Sequence, residues 1–109
     1  MAQNFRNQIA RNTGTSAVDI LNAVDSFDTV IGIRLANVHT ASISVNVFIV
    51  RSSTNYFLVK SAPIPVGGSL ELIDGGAKVV LESGDKIQAI STVANSLDSV
   101  VSYIDTIST

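Results

Sequence analysis

Few side chains in this sequence are able to do chemistry, and they are scattered. His39 is the only histidine of the 109 residues and falls in Asn37-Val38-His39-Thr40, between two strand-like stretches. A nucleophilic triad needs a serine and an orienting acid brought to that imidazole. No G-x-S-x-G turn occurs, and fourteen serines are spread along the whole chain. His39 therefore reads as a turn or contact residue, and the chain is expected not to be an enzyme. Gly67-Gly68 and Gly75-Gly76 each fall between strands, where hairpin or corner turns explain them better than a phosphate loop, which needs a helix N-terminus behind it. Asp74 and Asp85 sit in separate turns and lack the oxygen-rich spacing of a calcium loop. With no cysteine, a disulfide framework or thiolate metal site is excluded. No catalytic residue, cofactor or metal is expected.

Most of the sequence that would have to position such groups alternates with a period near two. Ser42 to Arg51 is the clearest strand, with Ile43, Val45, Val47 and Ile49 on one face and Ser42, Ser44, Asn46 and Phe48 on the other. Asp28 to Ala36 is a second, with Ile31, Ile33 and Leu35 expected to share the inner face. Further strands are expected at Ser16 to Asn22, Asn55 to Ala62, Ser69 to Ile73, Lys78 to Glu82, Lys86 to Thr92 and Asp98 to Ile107. Pro63 and Pro65 are expected to end the fourth in chain order by removing ladder donors. The turns between them carry Ser52-Ser53-Thr54, Val66-Gly67-Gly68, Asp74-Gly75-Gly76 and Ser83-Gly84-Asp85. About eight short strands without a long helix predict an all-β fold, an antiparallel β-sandwich of jelly-roll or immunoglobulin-like type.

The charges divide unevenly. Residues 1 to 18 carry Arg6 and Arg11 and no acid, whereas residues 19 to 109 carry five basic and nine acidic groups. Residues 1–14, rich in Asn and Gln, are read as an extended N-terminal arm outside a sandwich domain of residues 15–109. Phe5 and Ile9 lie four apart and would share one face of a short helix in that arm. Two arginines release few counterions, so nucleic acid is not expected as a partner. The start of the sequence is polar and lacks an apolar signal core, and no uncharged apolar run approaches a membrane span. Synthesis in a cytoplasm and no membrane partner are the expectations. Only 15% of residues are charged while 46% are hydrophobic, so the exposed surface must be built largely from Ser, Thr, Asn and apolar groups.

From Ala17 to Ile107 the chain resembles small virion structural proteins of tailed bacteriophages, including cyanobacterial phages. The resemblance rests on Val30-Ile31-Gly32-Ile33-Arg34-Leu35-Ala36-Asn37, on Tyr56 to Leu72 with its Ala62-Pro63-Ile64-Pro65-Val66-Gly67-Gly68 corner, and on Val79-Val80-Leu81-Glu82-Ser83-Gly84-Asp85-Lys86-Ile87. It implies a non-enzymatic sandwich repeated on a virion, as a capsid cement or decoration protein or as part of the neck or tail. The implied partners are copies of the chain itself and other virion proteins such as major capsid, neck or tail subunits. A fibre component or a receptor- or glycan-binding appendage module is the alternative. From the residues themselves, the contact candidates are Phe5, Arg6, Ile9 and Arg11 of the arm, Val38 and His39 of the turn, and the outward Phe48 and Val50.

Overall fold

The computed structural model describes residues 3–22, 28–73 and 79–106. Nine strands form two antiparallel sheets: β1 (Gln3–Thr13), β2 (Val18–Leu21), β3 (Asp28–Asn37), β4 (Ile43–Arg51), β5 (Thr54–Ile64), β6 (Ser69–Ile73), β7 (Val79–Leu81), β8 (Lys86–Ser91) and β9 (Leu97–Thr106). The first sheet runs β1-β9-β3-β6, with β7 also pairing β3; the second runs β2-β8-β4-β5. Chain order and pairing together resolve the type of sandwich. β4 pairs β5, β3 pairs β6 and β7, β2 pairs β8, and β1 pairs β9. These are the nested pairs of one long hairpin rolled up across two layers, which is a jelly roll.

The interior is a continuous apolar layer. Ile20, Leu21, Val30, Ile33, Leu35, Ile43, Val45, Val47, Ile64, Leu81, Ile87, Ala89, Leu97 and Val101 fill it. β4 follows its alternation as expected, with Ile43, Val45 and Val47 buried and Ile49 packed against them. β3 does not. An extra residue, Ile31, lies between the pairs Val30–Tyr103 and Gly32–Ser102, so the buried set is Val30, Ile33 and Leu35, and Ile31 is displaced from the inner face. β5 carries two such bulges, which bring both Leu58 and Val59 onto the core. It also runs on through Pro63 to Ile64; an edge strand tolerates proline because its outer amides need no ladder partner.

The expectation of an arm outside the sandwich is corrected here. Residues 3–13 form β1, in register with β9 from Gln3–Thr106 to Ala10–Ser99. Nor do Phe5 and Ile9 form a helix face; they alternate with Arg6 and Gln8 on a strand. The amide-rich composition suits an edge strand with one face in water. Its Gln8 side chain is tied to the residue after β2, where Asn22 N–H donates to Gln8 Oε1 at 2.9 Å and Gln8 Nε2 donates to Asn22 Oδ1 at 3.3 Å.

Two turns show how the corners are made. The β4–β5 turn has just two central residues, Ser52 and Ser53, both left-handed with φ of 52° and 63°. That is the primed turn whose twist matches a tight hairpin. At the other end, Gly14 passes so close to the β8–β9 loop that a Cβ would stand 3.0 Å from Ala94 Cα and 3.2 Å from Asn95 N. Gly14 C=O accepts from Ser91 N–H at 2.8 Å there. The Asp74-Gly75-Gly76 turn lies outside the described residues.

Candidate assembly surface

On β1 the alternation turns Phe5, Asn7 and Ile9 away from the core. The ladder then sets Ile104, Ser102 and Val100 of β9 directly opposite them. β3 continues the same outer face with Thr29, Gly32 and Arg34, and Val80 of β7 stands opposite Thr29. Phe5 is 73% exposed, Ile9 71%, Val80 60% and Val100 39%. Covering a side chain of this size stabilises by about 1.5–3 kcal/mol, so four on one face are enough to matter in an association. Two shallow depressions run along the β1–β9 seam. Ile9, Ala10, Arg11, Asp98 and Val100 line one, and Phe5, Asn7, Ile31 and Tyr103 line the other. The charges on this face are local: Arg34 pairs with Glu71 at 3.3 Å, and Asp98 Oδ1 accepts from Asn12 N–H at 2.9 Å.

The outer face of the second sheet covers one of its two phenylalanines and leaves the other exposed. Phe48 lies on that face, as its position between Val47 and Ile49 requires, yet it is only 2% exposed. Its ring meets Phe57 of β5 at 5.3 Å with the planes tilted by 51°, and Lys60 Nζ sits 5.3 Å over the Phe57 ring. Phe48 is therefore removed from the contact candidates, and Phe57 is the exposed aromatic in its place. Val50 is half-buried on the same face. Alongside, Asp19 accepts from Gln88 Nε2 at 2.8 Å and lies 3.6 Å from Lys86 Nζ.

The remaining candidates fall at other places. Arg6 is exposed on the opposite side of β1 from Phe5, and Arg11 stands at the bulge that ends the regular part of that strand. Val38 is exposed and His39 half-buried in the β3–β4 loop. That loop is set by buried Asn37, whose Oδ1 accepts from His39 N–H at 2.8 Å and whose Nδ2 donates to Ala41 O and Ile64 O. Phe5 and Ile9 thus come together with Val100 and Val80, while Val38 and His39 belong to the loop end. Val80 and Val100 escaped the sequence reading because the inner faces of β7 and β9 could not be assigned from alternation alone.

The most perturbed ionisable pair lies away from this surface. Arg51 Nε and Nη2 donate to Asp85 Oδ1 and Oδ2 at 2.8 and 2.6 Å, and Glu82 N–H donates to Oδ2 at 2.9 Å. The Asp85 side chain is 1% exposed. The Arg51 guanidinium holds its carboxyl below the ordinary carboxylate range, against the opposing effect of burial. The pair clamps the β4–β5 hairpin to the β7–β8 turn. Among the described residues no group of three or more His, Cys, Asp or Glu is placed to hold a metal ion, and no helix is long and apolar enough to cross a membrane.

No family model matches the chain, and no curated protein matches it in sequence. Solved structures do resemble it. A subunit from a study titled "Bacillus endospore appendages form a novel family of disulfide-linked pili" is 16% identical with a TM-score of 0.56, over 98% of this chain and 88% of that one. The nucleoplasmin-like N-terminal domain of Drosophila FKBP39 is 9% identical with a TM-score of 0.44, over 98% and 91%. At such identities the likeness concerns the fold alone.

Proposed function

We propose that this protein is a non-enzymatic structural subunit that works by packing against copies of itself and against a larger particle. We further propose that the particle is a tailed-phage virion, made in the host cytoplasm, in which the chain serves as a capsid cement or decoration protein. The observation that carries the reading is the exposed apolar face of the first sheet, Phe5, Ile9, Val80 and Val100. A face of that kind marks a contact site on a soluble domain. The cadence of residues 30–37, 56–72 and 79–87, which resembles phage virion proteins, supports the choice of particle.

The Bacillus endospore appendage of like fold is a disulfide-linked pilus, which supports repetition in a surface assembly. This chain has no cysteine, so its own contacts are non-covalent and gain strength by repetition, since linked weak contacts exceed any single one in avidity. The fold likeness also favours a second reading, a neck, tail or fibre component of the same particle. Mass spectrometry of purified particles tests both. Hundreds of copies per virion are expected for a shell protein, a dozen or so for a collar or tail part, and absence from all particles would refute the proposal. Turnover of an ester, phosphate or glycoside by the pure chain, lost on His39→Ala, would overturn its non-enzymatic part.

A further inference from the structure

The buried polar side chains near the β8–β9 loop are of two kinds. Asn37, Ser91 and Ser96 are each bonded within the chain. Thr13 Oγ1 and Ser99 Oγ are not: both residues are 2% exposed, and among the described residues neither oxygen has a hydrogen-bond partner. Burying a hydroxyl in that condition opposes folding. Two such groups on adjoining strands call for a partner they share.

The ladder sets both hydroxyls on the inner face of the first sheet. Thr13 of β1 stands opposite buried Leu97 of β9, and Ser99 lies two residues further along β9, facing Ala10 on one side and Leu35 on the other. Diagonal neighbours of this kind are about 7–8 Å apart along the backbone and somewhat less at Cβ, which is beyond a direct hydrogen bond. Two bonds of about 2.8 Å through one intervening oxygen span about 5.6 Å. Hydroxyls directed toward each other from those positions come within that reach.

Room for the intervening atom comes from the residues around it. Ala10 and Ser99 are the small members of their row, and the bulge sets Arg11 and Asn12 against Asp98 alone, with Asn12 left-handed at φ 57°. From the second sheet, Ser91 N–H donates to Gly14 O, and the next inward-facing residue of β8 is fully buried Ala89. Small side chains thus line this part of an interior that is elsewhere filled by Leu, Ile and Val.

We propose that Thr13 and Ser99 hold a buried water molecule behind the β1 bulge, bridging their two hydroxyls. One hydroxyl donates to the water oxygen and the water donates to the other. Both side-chain oxygens are then served, and the water has the two polar partners that an interior site requires. The bridge fastens the end of β1 to β9, and its role is structural whatever the outer face of the sheet binds.

A high-resolution crystal structure of the full-length chain is expected to show an ordered water within about 2.5–3.0 Å of both oxygens. Thr13→Ser, which keeps the hydroxyl, is expected to retain it. Thr13→Val and Ser99→Ala are each expected to lower the melting temperature. The double variant should lose little more than either single one, because the two hydroxyls serve one water. Should a variant fail to fold, the crystals of the parent and of Thr13→Ser still decide. Hydroxyls bonded to main-chain carbonyls with no water between them would overturn the proposal, as would single losses that simply add. Ordered water that persists in the double variant would also overturn it, because other groups would then hold the molecule.

Discussion

Where β4 turns into β5, Arg51 and Asp85 hold the hairpin to the β7–β8 turn by a charged pair whose acid is buried. At the opposite end, the buried bonds are neutral. Asn37 ties the β3–β4 loop to Ile64, and a ring of bonds closes the β8–β9 loop. In that ring Val93 N–H donates to Ser91 Oγ, and Ser96 Oγ donates to Val93 O. Ser96 has spent its only hydroxyl proton on that carbonyl, so Ser91 must donate to Ser96 across the 2.5 Å between them. One end thus depends on ionisation and the other does not, and acid should loosen the molecule from one side.

The largest effect is expected at the neutral end. Asn37→Ala removes three bonds from a buried site and leaves the Ile64 carbonyl without its donor, which should cost about 3 kcal/mol in urea unfolding. Because no charge is involved, that loss should be the same at pH 7 and pH 3. Asp85→Asn should cost about 2 kcal/mol at pH 7, the worth of its charge-assisted bonds. Asp85 has a depressed pKa when folded, so its contribution is present above the ordinary carboxylate range and is lost as the pH falls through the folded value. The difference between the parent and Asp85→Asn should therefore shrink toward pH 3, and a constant difference would break the contrast between the ends.

Two smaller changes probe the backbone at each end. Gly14→Ala pushes a Cβ into main-chain atoms of Ala94 and Asn95 and should cost about 1–2 kcal/mol, read as a lowered melting temperature. Ser53→Gly relieves a left-handed serine in the two-residue turn and should add about 1 kcal/mol. A loss there would mean that the Ser53 side chain contributes to the turn.

The layered fold was legible where a strand keeps its period. β4 has no extra residue, so Ile43, Val45 and Val47 could be placed by alternation. β3 defeated the same reasoning because a bulge is a pairing event with no local signature in Ile31. β1 was hidden by composition: its Asn and Gln suit a solvated arm as well as an edge strand, and only the mate β9, some ninety residues away in sequence, decides between them. Phe48 was assigned to the correct face, but its cover by Phe57 is set by the register of another strand. Of the surface, Phe5 and Ile9 were legible as contact groups, whereas Val80 and Val100 needed the topology.

The nested pairing has a consequence during synthesis. Of the described strands a ribosome makes β1 first and β9 last, so while the residues between them are synthesised β1 waits without β9. Loop closure over almost the full chain makes that last zipping slow, and neighbouring nascent chains on one messenger expose the same Phe5 and Ile9 meanwhile. Crowded polysomes are thus where this molecule is most open to the wrong companion.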